Sequence, residues 1–266
     1  MNTAVFGQQD ELIVQNYRAL LPAAQSAPGA EVVIRDDLVL SSCLDFPDPG
    51  ANHACLMRTT PGLAPALLAE IVEYFETRDL TPAVFVSEAC SPDDWPRRLR
   101  DAGFDKAHTE YWMGLERAGD FWGAAPSPHV RVQTIGKDDA LMFSEVYVQA
   151  FGMPIEFAPR VASLQQHFIG VPNTYHYVAF VDEKPVGVCS LVCDRGLGII
   201  GSTGIIKTRR GARVFSSLAY QVLQDGKKHG LNTALIQIQD KAKFGRLLQI
   251  SGFKFLFPRD CYVKGN

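Results

Sequence analysis

The sequence predicts an α/β (α+β) protein made of two similar halves. Apolar residues recur along the chain with strand and helix spacings in alternation. The segment WPRRLRDAGF (95–104) also aligns without gaps on FGRLLQISGF (244–253), 149 residues later, within the same order of helix, strand, helix, Gly-Phe and strand. One such match is a common coincidence, but the same order of elements at one spacing indicates a tandem duplication.

The first half, residues 1–117, contains the elements on which the duplication depends. Leu67–Arg78 is predicted to be an amphipathic helix, and Ala83–Val86 a short strand. A second helix, Trp95–Ala102, leads through Gly-Phe to a strand near Tyr111–Leu115. Residues 118–128 are rich in Gly, Ala and Pro, which is typical of a linker between domains.

The second half, residues 129–266, alternates strands and helices throughout. Asp138 and Asp139 are typical of a helix N-cap, and two apolar runs on either side of Asp182-Glu183-Lys184 indicate a β-hairpin. The longest helix closes with basic residues and a Gly, as helix C-termini often do. We predict strands at 130–134, 175–181, 185–193, 197–206, 233–239, 253–257 and 261–264, helices at 140–151, 210–229 and 241–250, and a loop with a helix at 153–170.

Composition excludes several classes of protein. With 47% hydrophobic and 21% charged residues, the chain has enough apolar material for a substantial core. No apolar run approaches the ~20 residues that cross a bilayer. The start has no basic region followed by an apolar stretch, so it shows no secretory signal. We therefore expect a cytoplasmic protein with no membrane partner.

The charge is unevenly distributed. There are 9 basic and 19 acidic residues through Pro128, and 17 and 10 after it, so the two parts carry formal charges of −10 and +7. A basic part favours an anionic partner. Its basic residues are dispersed and are not interleaved with aromatic ones, which favours a small polyphosphate ligand and no nucleic acid.

The cysteines do not indicate a metal site. They stand at positions 43, 55, 90, 189, 193 and 261, form no CxxC motif and have no His at zinc-ligand spacing. We expect reduced thiols in or near the core and no bound metal.

Three passages of the second half together resemble the GCN5-related N-acetyltransferase (GNAT) superfamily. They are YVAFVDEKPVGVCSLV (177–192), GIIKTRRGARVFSSLAYQVLQDGKKHG (204–230) and FGRLLQISGF (244–253). The first half resembles a degenerate copy of the later part of that fold, as in tandem members of the superfamily. The resemblance implies two GNAT-like halves, each a mixed, mostly antiparallel sheet flanked by helices. It also implies acetyl-CoA or another acyl-CoA as co-substrate and a small-molecule amine as acceptor, in a monomer or homodimer.

The loop before the longest helix is the site that the resemblance assigns to the diphosphate of coenzyme A. The first N–H groups of a helix have no intrahelical acceptors and lie at the positive end of its dipole, so a loop that gathers them binds anions. The alternative is a surface turn with solvated arginines. The expected coenzyme A contacts are Ile205, Ile206, Arg209, Arg210, Gly211, Ala212, Arg213, Val214, Phe215, Ser216, Lys241 and Phe244.

The loop departs from the superfamily pattern at two positions. Arg213 and Phe215 stand where relatives have small residues, usually Gly, which lets backbone approach phosphate closely. Their side chains must point away from the ligand, or Arg213 itself must contact a phosphate.

The usual catalytic residues of the superfamily are missing, so we assign none. Acyl transfer by amine attack on a thioester needs a deprotonated amine, a backbone donor for the oxyanion, expected near Ile205 and Ile206, and a proton for the leaving thiolate. The Tyr that many relatives use before Gly-Phe is Leu248 here, and the Asn after the preceding strand is Lys241. The strand at 197–206 carries no carboxylate.

Several polar residues remain open to two interpretations. Phe151 and Glu156 lie between the first two helices of the second half, where relatives often contact the acceptor, and Glu156 is equally well explained as a solvated carboxylate. Deprotonation through water could involve Glu156, Tyr147 or His176, but a packing role fits Tyr147 and His176 as well. Tyr262, on the last strand, could also reach the cleft.

The sequence therefore predicts an N-acyltransferase that moves an acetyl or other acyl group from coenzyme A to a small amine. The alternative is a GNAT fold that binds acyl-CoA as a sensor or interaction protein without catalysis. Acyl-CoA chemistry without an amine, such as hydrolysis or decarboxylation, also remains open.

Overall fold

A computed structural model describes residues 8–117, 125–210 and 213–265 of the chain. They form two compact units. The first unit runs to Trp112 and also contains the chain from Leu256 onward, and the second unit is Met113–Phe255.

The first unit is a sheet with helices packed on it. Its elements are α1 (Gln9–Ser26), β1 (Ala30–Ile34), β2 (Val39–Cys43), β3 (His53–Cys55), α2 (Ala64–Glu76), β4 (Ala83–Val86), α3 (Trp95–Asp101), and the larger parts of β5 (Phe104–Leu115) and β11 (Lys254–Lys264). The strands follow the order β1-β2-β3-β4-β11-β5. β3 and β4 run parallel, whereas β2 is antiparallel to both β1 and β3, and β11 is antiparallel to β4.

The core of the first unit contains apolar side chains from helices and strands, including Trp95, Leu99 and Phe75. Beside it lies a buried polar network. Arg259 donates to Oε1 of Glu110 (2.8 Å and 3.1 Å) and to the Tyr17 hydroxyl (3.3 Å). The Tyr17 hydroxyl also meets Nε2 of His53, whose Nδ1 contacts the Pro49 carbonyl oxygen (2.8 Å).

This network explains one wrong prediction. We expected two strands, 253–257 and 261–264, on either side of Pro258. The structure has one strand, β11 (Lys254–Lys264). Arg259 is 2% exposed and forms an ion pair with Glu110, and residues 260–263 are all paired with β4. These contacts keep the chain extended past the proline. The sequence analysis also missed α1 and the first three strands.

The second unit is a five-stranded sheet with helices on both faces. Its elements are β6 (Val130–Thr134), α4 (Ala140–Phe151), α5 (Ala158–Phe168), β7 (Thr174–Val181), β8 (Lys184–Asp194), β9 (Leu197–Ile205), α6 (Val214–Lys228), β10 (Thr233–Ile238) and α7 (Arg246–Ile250). The order of these five strands is β10-β9-β8-β7-β6, and β9 and β10 are the parallel pair among them.

Two glycines show how the helices are arranged on the sheet. A Cβ at Gly187 of β8 would lie 2.9 Å from Val214 of α6, and a Cβ at Gly204 of β9 would lie 2.8 Å from Ala150 of α4. Gly204 pairs with Val188, the neighbour of Gly187, and successive strand residues face opposite sides. Therefore α6 covers one face of the sheet and α4 covers the other.

The expected halves, 1–117 and 129–266, stay a prediction. Residues from Leu256 onward group with the first unit, because β11 pairs with β4. The linker prediction, 118–128, stays a prediction: residues 118–124 lie outside the described part, and 125–128 belong to the second unit.

Candidate functional site

The parallel strands β9 and β10 part within the second unit. Their pairing runs from Leu197↔Thr233 to Ile200↔Ile236 and ends there. β9 continues for five residues, Gly201–Ile205, and β10 for two, to Ile238. The edge of Gly201–Ile205 that faces the gap has no paired residue in β10, which leaves room for a ligand beside it.

A β-bulge lies where the strands part. Ser202 and Thr203 of β9 together oppose Cys189 of β8, since Gly201 pairs with Ser190 and Gly204 with Val188. Ser202 has a φ of 48°, in the left-handed region. The Thr203 hydroxyl donates to the Gly201 carbonyl oxygen (3.2 Å) and contacts the Cys189 sulfur (3.3 Å). A bulge bends its strand, which agrees with the divergence of β9 from β10.

The amides of Ile205 and Ile206, where we expected an oxyanion donor, differ in orientation. The Ile206 N–H donates to the Val186 carbonyl oxygen (2.9 Å) and is thus engaged in the hairpin. The next pair along the hairpin is Ile205 opposite Gly187. Hydrogen-bonded and non-hydrogen-bonded pairs alternate in an antiparallel sheet, so the N–H and C=O groups of Ile205 point away from β8. The Ile205 N–H therefore points to the side where β10 has diverged.

Helix α6 begins one short turn after β9. The first intrahelical bond of this turn runs from the Ser217 N–H to the Arg213 carbonyl oxygen (3.1 Å). The N–H groups of Val214, Phe215 and Ser216 have no acceptor within the helix, and the first turn contains no acidic residue. Gly211 and Ala212, two expected contacts, lie outside the described residues.

Arg213 adopts a backbone conformation that Gly adopts more readily than other residues. Its φ and ψ are 56° and 19°, in the left-handed helical region. That conformation costs a non-Gly residue roughly 1–2 kcal/mol. An Arg at this position thus adds both backbone strain and a positive charge to the turn before α6.

Arg210 holds the turn against α4. Its Nε donates to the Ile205 carbonyl oxygen (3.3 Å) and its Nη2 to the Ala150 carbonyl oxygen (3.2 Å). Lys207 and Arg209 lie in the same turn, with Lys207 exposed and Arg209 half-buried.

The segment after β10 forms the other side of the gap. Asp240 caps it by accepting from the Lys243 N–H (2.9 Å), and the Gly245 N–H reaches back five residues to the Asp240 carbonyl oxygen (3.0 Å), a π-helical turn. The ring of Phe244 meets that of Phe215 edge to face, with centroids 5.1 Å apart. This contact places the start of α6 beside the π-helical turn. The expected helix at 241–250 is thus this turn, Lys241–Gly245, followed by α7.

The segments on both sides of the gap are rich in basic residues. Segments 207–216 and 240–250 contain one acidic residue, Asp240, and its carboxylate caps the π-helical turn. Lys241 lies over the ring of Phe255, 4.3 Å from its centroid. Among the described residues, no ion pair involves the other basic residues of these segments, namely Lys207, Arg209, Arg210, Arg213, Lys243 and Arg246.

The α4 face of the gap is apolar. The ring of Phe151, the last residue of α4, approaches Gly204 so closely that a Cβ there would lie 2.9 Å from it. Tyr147 packs on Phe151, with ring centroids 4.6 Å apart, and also contacts the core under α4. Phe151 and Glu156 are both exposed.

The buried His176 and Cys189 of the same sheet are unsuited to proton transfer at neutral pH. Burial lowers the pKa of His176 to about 4, and its ring packs on Phe143. Burial raises the pKa of the Cys189 thiol to about 12. Leu248 is buried, and Tyr262 lies in the core of the first unit.

The described residues contain neither a cluster of metal-ligating side chains nor a membrane-spanning helix. No three His, Cys, Asp or Glu side chains come together in a way that would hold a metal ion. No helix in these ranges is long and apolar enough to cross a bilayer. All six cysteines are buried free thiols.

Solved structures resemble the chain over nearly its whole length. A GCN5-related N-acetyltransferase from Kribbella flavida has a TM-score of 0.68 at 16% identity, covering 93% of this chain and 95% of its own. A tandem GNAT protein from the clavulanic acid biosynthesis pathway has a TM-score of 0.60 at 17% identity, covering 96% and 95%. The chain has the GNAT fold. A functionally unknown conserved protein from Staphylococcus epidermidis shares it as well, with a TM-score of 0.68 at 13% identity, covering 89% of this chain and 94% of that one.

The GNAT fold of this chain confirms the predicted fold class, two α/β units with mixed, mostly antiparallel strands. No family model and no curated protein matches the sequence, so the assignment depends on three-dimensional similarity. The sequence analysis missed the bulge at Ser202 and Thr203, although GSTG (201–204), two small polar residues between glycines, was a signal for an irregular strand.

Proposed function

We propose that the second unit binds an acyl-CoA and transfers its acyl group to a small primary amine. One observation carries this proposal: β9 and β10 part directly beside the open N-terminus of α6. A gap between strands admits a narrow chain, and free helix N–H groups bind phosphate. A pantetheine arm joined to a diphosphate has this combination of shapes and charges.

The charge of the site fits the co-substrate. An uncompensated positive field comes from the basic residues of the two segments that form no ion pair with a described residue and no printed hydrogen bond, namely Lys207, Arg209, Arg213, Lys243 and Arg246. Acetyl-CoA and other acyl-CoAs carry a diphosphate and a 3′-phosphate, which such a field attracts. Arg210, by contrast, already donates to two backbone carbonyls and serves to hold the turn.

The parted strands suggest how the transfer occurs. With the thioester in the gap, the Ile205 N–H lies on the correct side to donate to the carbonyl oxygen as it gains negative charge. The amine nitrogen bonds to the carbonyl carbon, the carbon–sulfur bond breaks, and the amine proton passes through water to the thiolate. Positioning supplies most of the rate, since burial holds His176 and Cys189 in their neutral forms at neutral pH.

A second candidate function is acyl-CoA binding without transfer. Leu248, buried at the position where many relatives carry a Tyr, favours it. Turnover distinguishes the two functions, because both require binding.

Calorimetric titration with acetyl-CoA, followed by assay of thiol release across a panel of amines, tests the proposal. We expect binding, and about fivefold weaker binding for Arg209→Gln, because a partly exposed charge pair is worth about 1 kcal/mol. Lys227→Gln is the matched control: it removes a basic residue at the far end of α6, and its affinity should equal that of the parent protein. Failure of acetyl-CoA and free CoA to bind at millimolar concentration would refute the proposal.

A further inference from the structure

An aromatic contact joins the two chain segments that follow the parted strands. β9 leads into α6, β10 leads into the π-helical turn, and the pairing of the two strands ends at Ile200 and Ile236. Beyond that point the ring of Phe215, in the first turn of α6, meets the ring of Phe244, in the π-helical turn. The ring planes are inclined by 80°, an edge-to-face arrangement. We call this pair the aromatic bridge; it connects the two segments again on the far side of the gap.

The packing of α6 shows the direction in which the aromatic bridge runs. Val214 and Leu218 are buried against the sheet, where a Cβ on Gly187 of β8 would lie 2.9 Å and 3.1 Å from them. Phe215 lies about 100° around the helix from Val214, and its ring reaches the segment that follows β10. Since β9 lies between β8 and β10, the bridge crosses the α6 face of the sheet from the β8 side of the gap to the β10 side.

The aromatic bridge lies on the path that the proposed ligand takes. The N–H groups of the first turn of α6 are open to a diphosphate, and the Ile205 N–H points into the gap. A pantetheine arm that joins these two positions leaves the first turn of α6 on the side of the gap. The Phe215 ring extends from that same turn across the same side. The ligand and the closed bridge therefore compete for this space.

The aromatic bridge can open by rotation of its side chains while the backbone beneath it stays fixed. The Gly245 N–H, next to Phe244, is bonded to the Asp240 carbonyl oxygen (3.0 Å). A Cβ on Gly245 would lie 3.2 Å from the Ile238 side chain, so this backbone is closely packed on β10. Phe215 and Phe244 are both half-buried, so each ring is partly in contact with solvent. The loss of an edge-to-face pair changes an equilibrium by about two- to tenfold, so an open form accounts for roughly a tenth to a third of the molecules.

We propose that the aromatic bridge is a gate, which closes the coenzyme A site when the site is empty and must open before an acyl-CoA enters. This inference rests on the proposed acyl-CoA binding and adds a regulatory step at the same site. Because the ligand enters the open form, its apparent affinity is the intrinsic affinity multiplied by the open fraction. Removing either ring should therefore strengthen binding, whereas removing a ring that contacts the ligand would weaken it.

Stopped-flow binding of etheno-CoA, a fluorescent analogue of CoA, tests the gate. We expect Phe215→Ala and Phe244→Ala each to raise the association rate constant and the affinity about three- to tenfold, with little change in the dissociation rate constant. The double variant should gain no more than either single variant, since one lost ring already opens the bridge. Weaker binding or faster dissociation in both single variants would show that the rings hold the ligand, and would overturn the inference.

Tyr220→Ala is the matched control. Tyr220 is an aromatic residue of the same helix, 40% exposed and five positions after Phe215, and its removal should leave both rate constants unchanged. Urea unfolding followed by circular dichroism identifies a folding defect, and the two ring variants lie on different elements, so one folded variant is enough to decide. Equal association rate constants for the parent protein and both ring variants would overturn the gate and leave the proposed function intact. Failure of etheno-CoA to bind the parent protein and every variant would refute the proposed function, and this inference with it.

Discussion

Replacing Arg259 by Met should strongly destabilise the first unit. Arg259 is 2% exposed and is the cationic partner of Glu110, whose side chain is 12% exposed. Its guanidinium also lies over the rings of Phe85 and Trp112, at 4.5 Å and 4.8 Å from their centroids. Removing one member of a buried ion pair leaves the other desolvated and unpaired, which costs roughly 3–5 kcal/mol. That is a large fraction of the 5–15 kcal/mol by which typical domains are stable.

Urea unfolding monitored by tryptophan fluorescence measures this effect. Trp95 and Trp112 are both buried in the first unit, so their emission reports on it; Trp122 lies outside the described residues. The control is Arg97→Met, which removes an exposed ion pair on α3 and should cost less than about 1 kcal/mol.

A double variant tests the assigned cause. In Arg259→Met combined with Glu110→Gln, neither member of the ion pair is charged. The Gln amide oxygen can still accept from the indole N–H of Trp112, which donates to Glu110 Oε1 (2.6 Å) in the parent protein. We expect most of the lost stability to return. The reasoning fails if the single variant loses under 1 kcal/mol or if the double variant is as unstable as the single.

Three further predictions concern the second unit. The pKa of His176 is about 4 in the folded state and near 6.5 in the unfolded state. The free energy of unfolding is therefore highest above pH 6.5 and falls by about 3 kcal/mol as the pH drops to 4. His176→Leu should remove most of this pH dependence in urea unfolding followed by circular dichroism. Arg213→Gly should raise the unfolding free energy by about 0.5–1 kcal/mol, since it relieves a left-handed backbone, and an unchanged or lower value would contradict that strain. Lys243→Ala should weaken CoA binding more than dephospho-CoA binding in calorimetry; equal losses would exclude a contact with the 3′-phosphate.

Much of the second unit could be predicted from the sequence because its signals are local. The hairpin of β7 and β8 and the amphipathic pattern of α6 lie within short stretches of chain. The start of α6 was placed four residues too early, at Arg210, because periodicity does not show that Arg213 turns left-handed. The parting of β9 and β10 could not be predicted, since it depends on a bulge opposite Cys189 and on pairing between strands distant in sequence.

The first unit was harder to predict for the same reason. β3 has three residues and pairs with β4, about thirty positions further on, and neither run shows strong alternation. Arg259 looks like an ordinary surface residue in the sequence, because its partner Glu110 lies 149 residues earlier. The duplication signal nevertheless identified α2, β4, α3 and part of β5.

The position of β11 has a consequence for how the chain matures. β11 lies between β4 and β5 in the sheet of the first unit, yet it is synthesised long after both of them. Until Lys254–Lys264 has been translated, the edges of β4 and β5 that receive β11 stay unpaired, and Glu110 lacks its cation. The first unit therefore cannot complete its native sheet during synthesis of the first half of the chain, and it becomes stable only after β11 has left the ribosome.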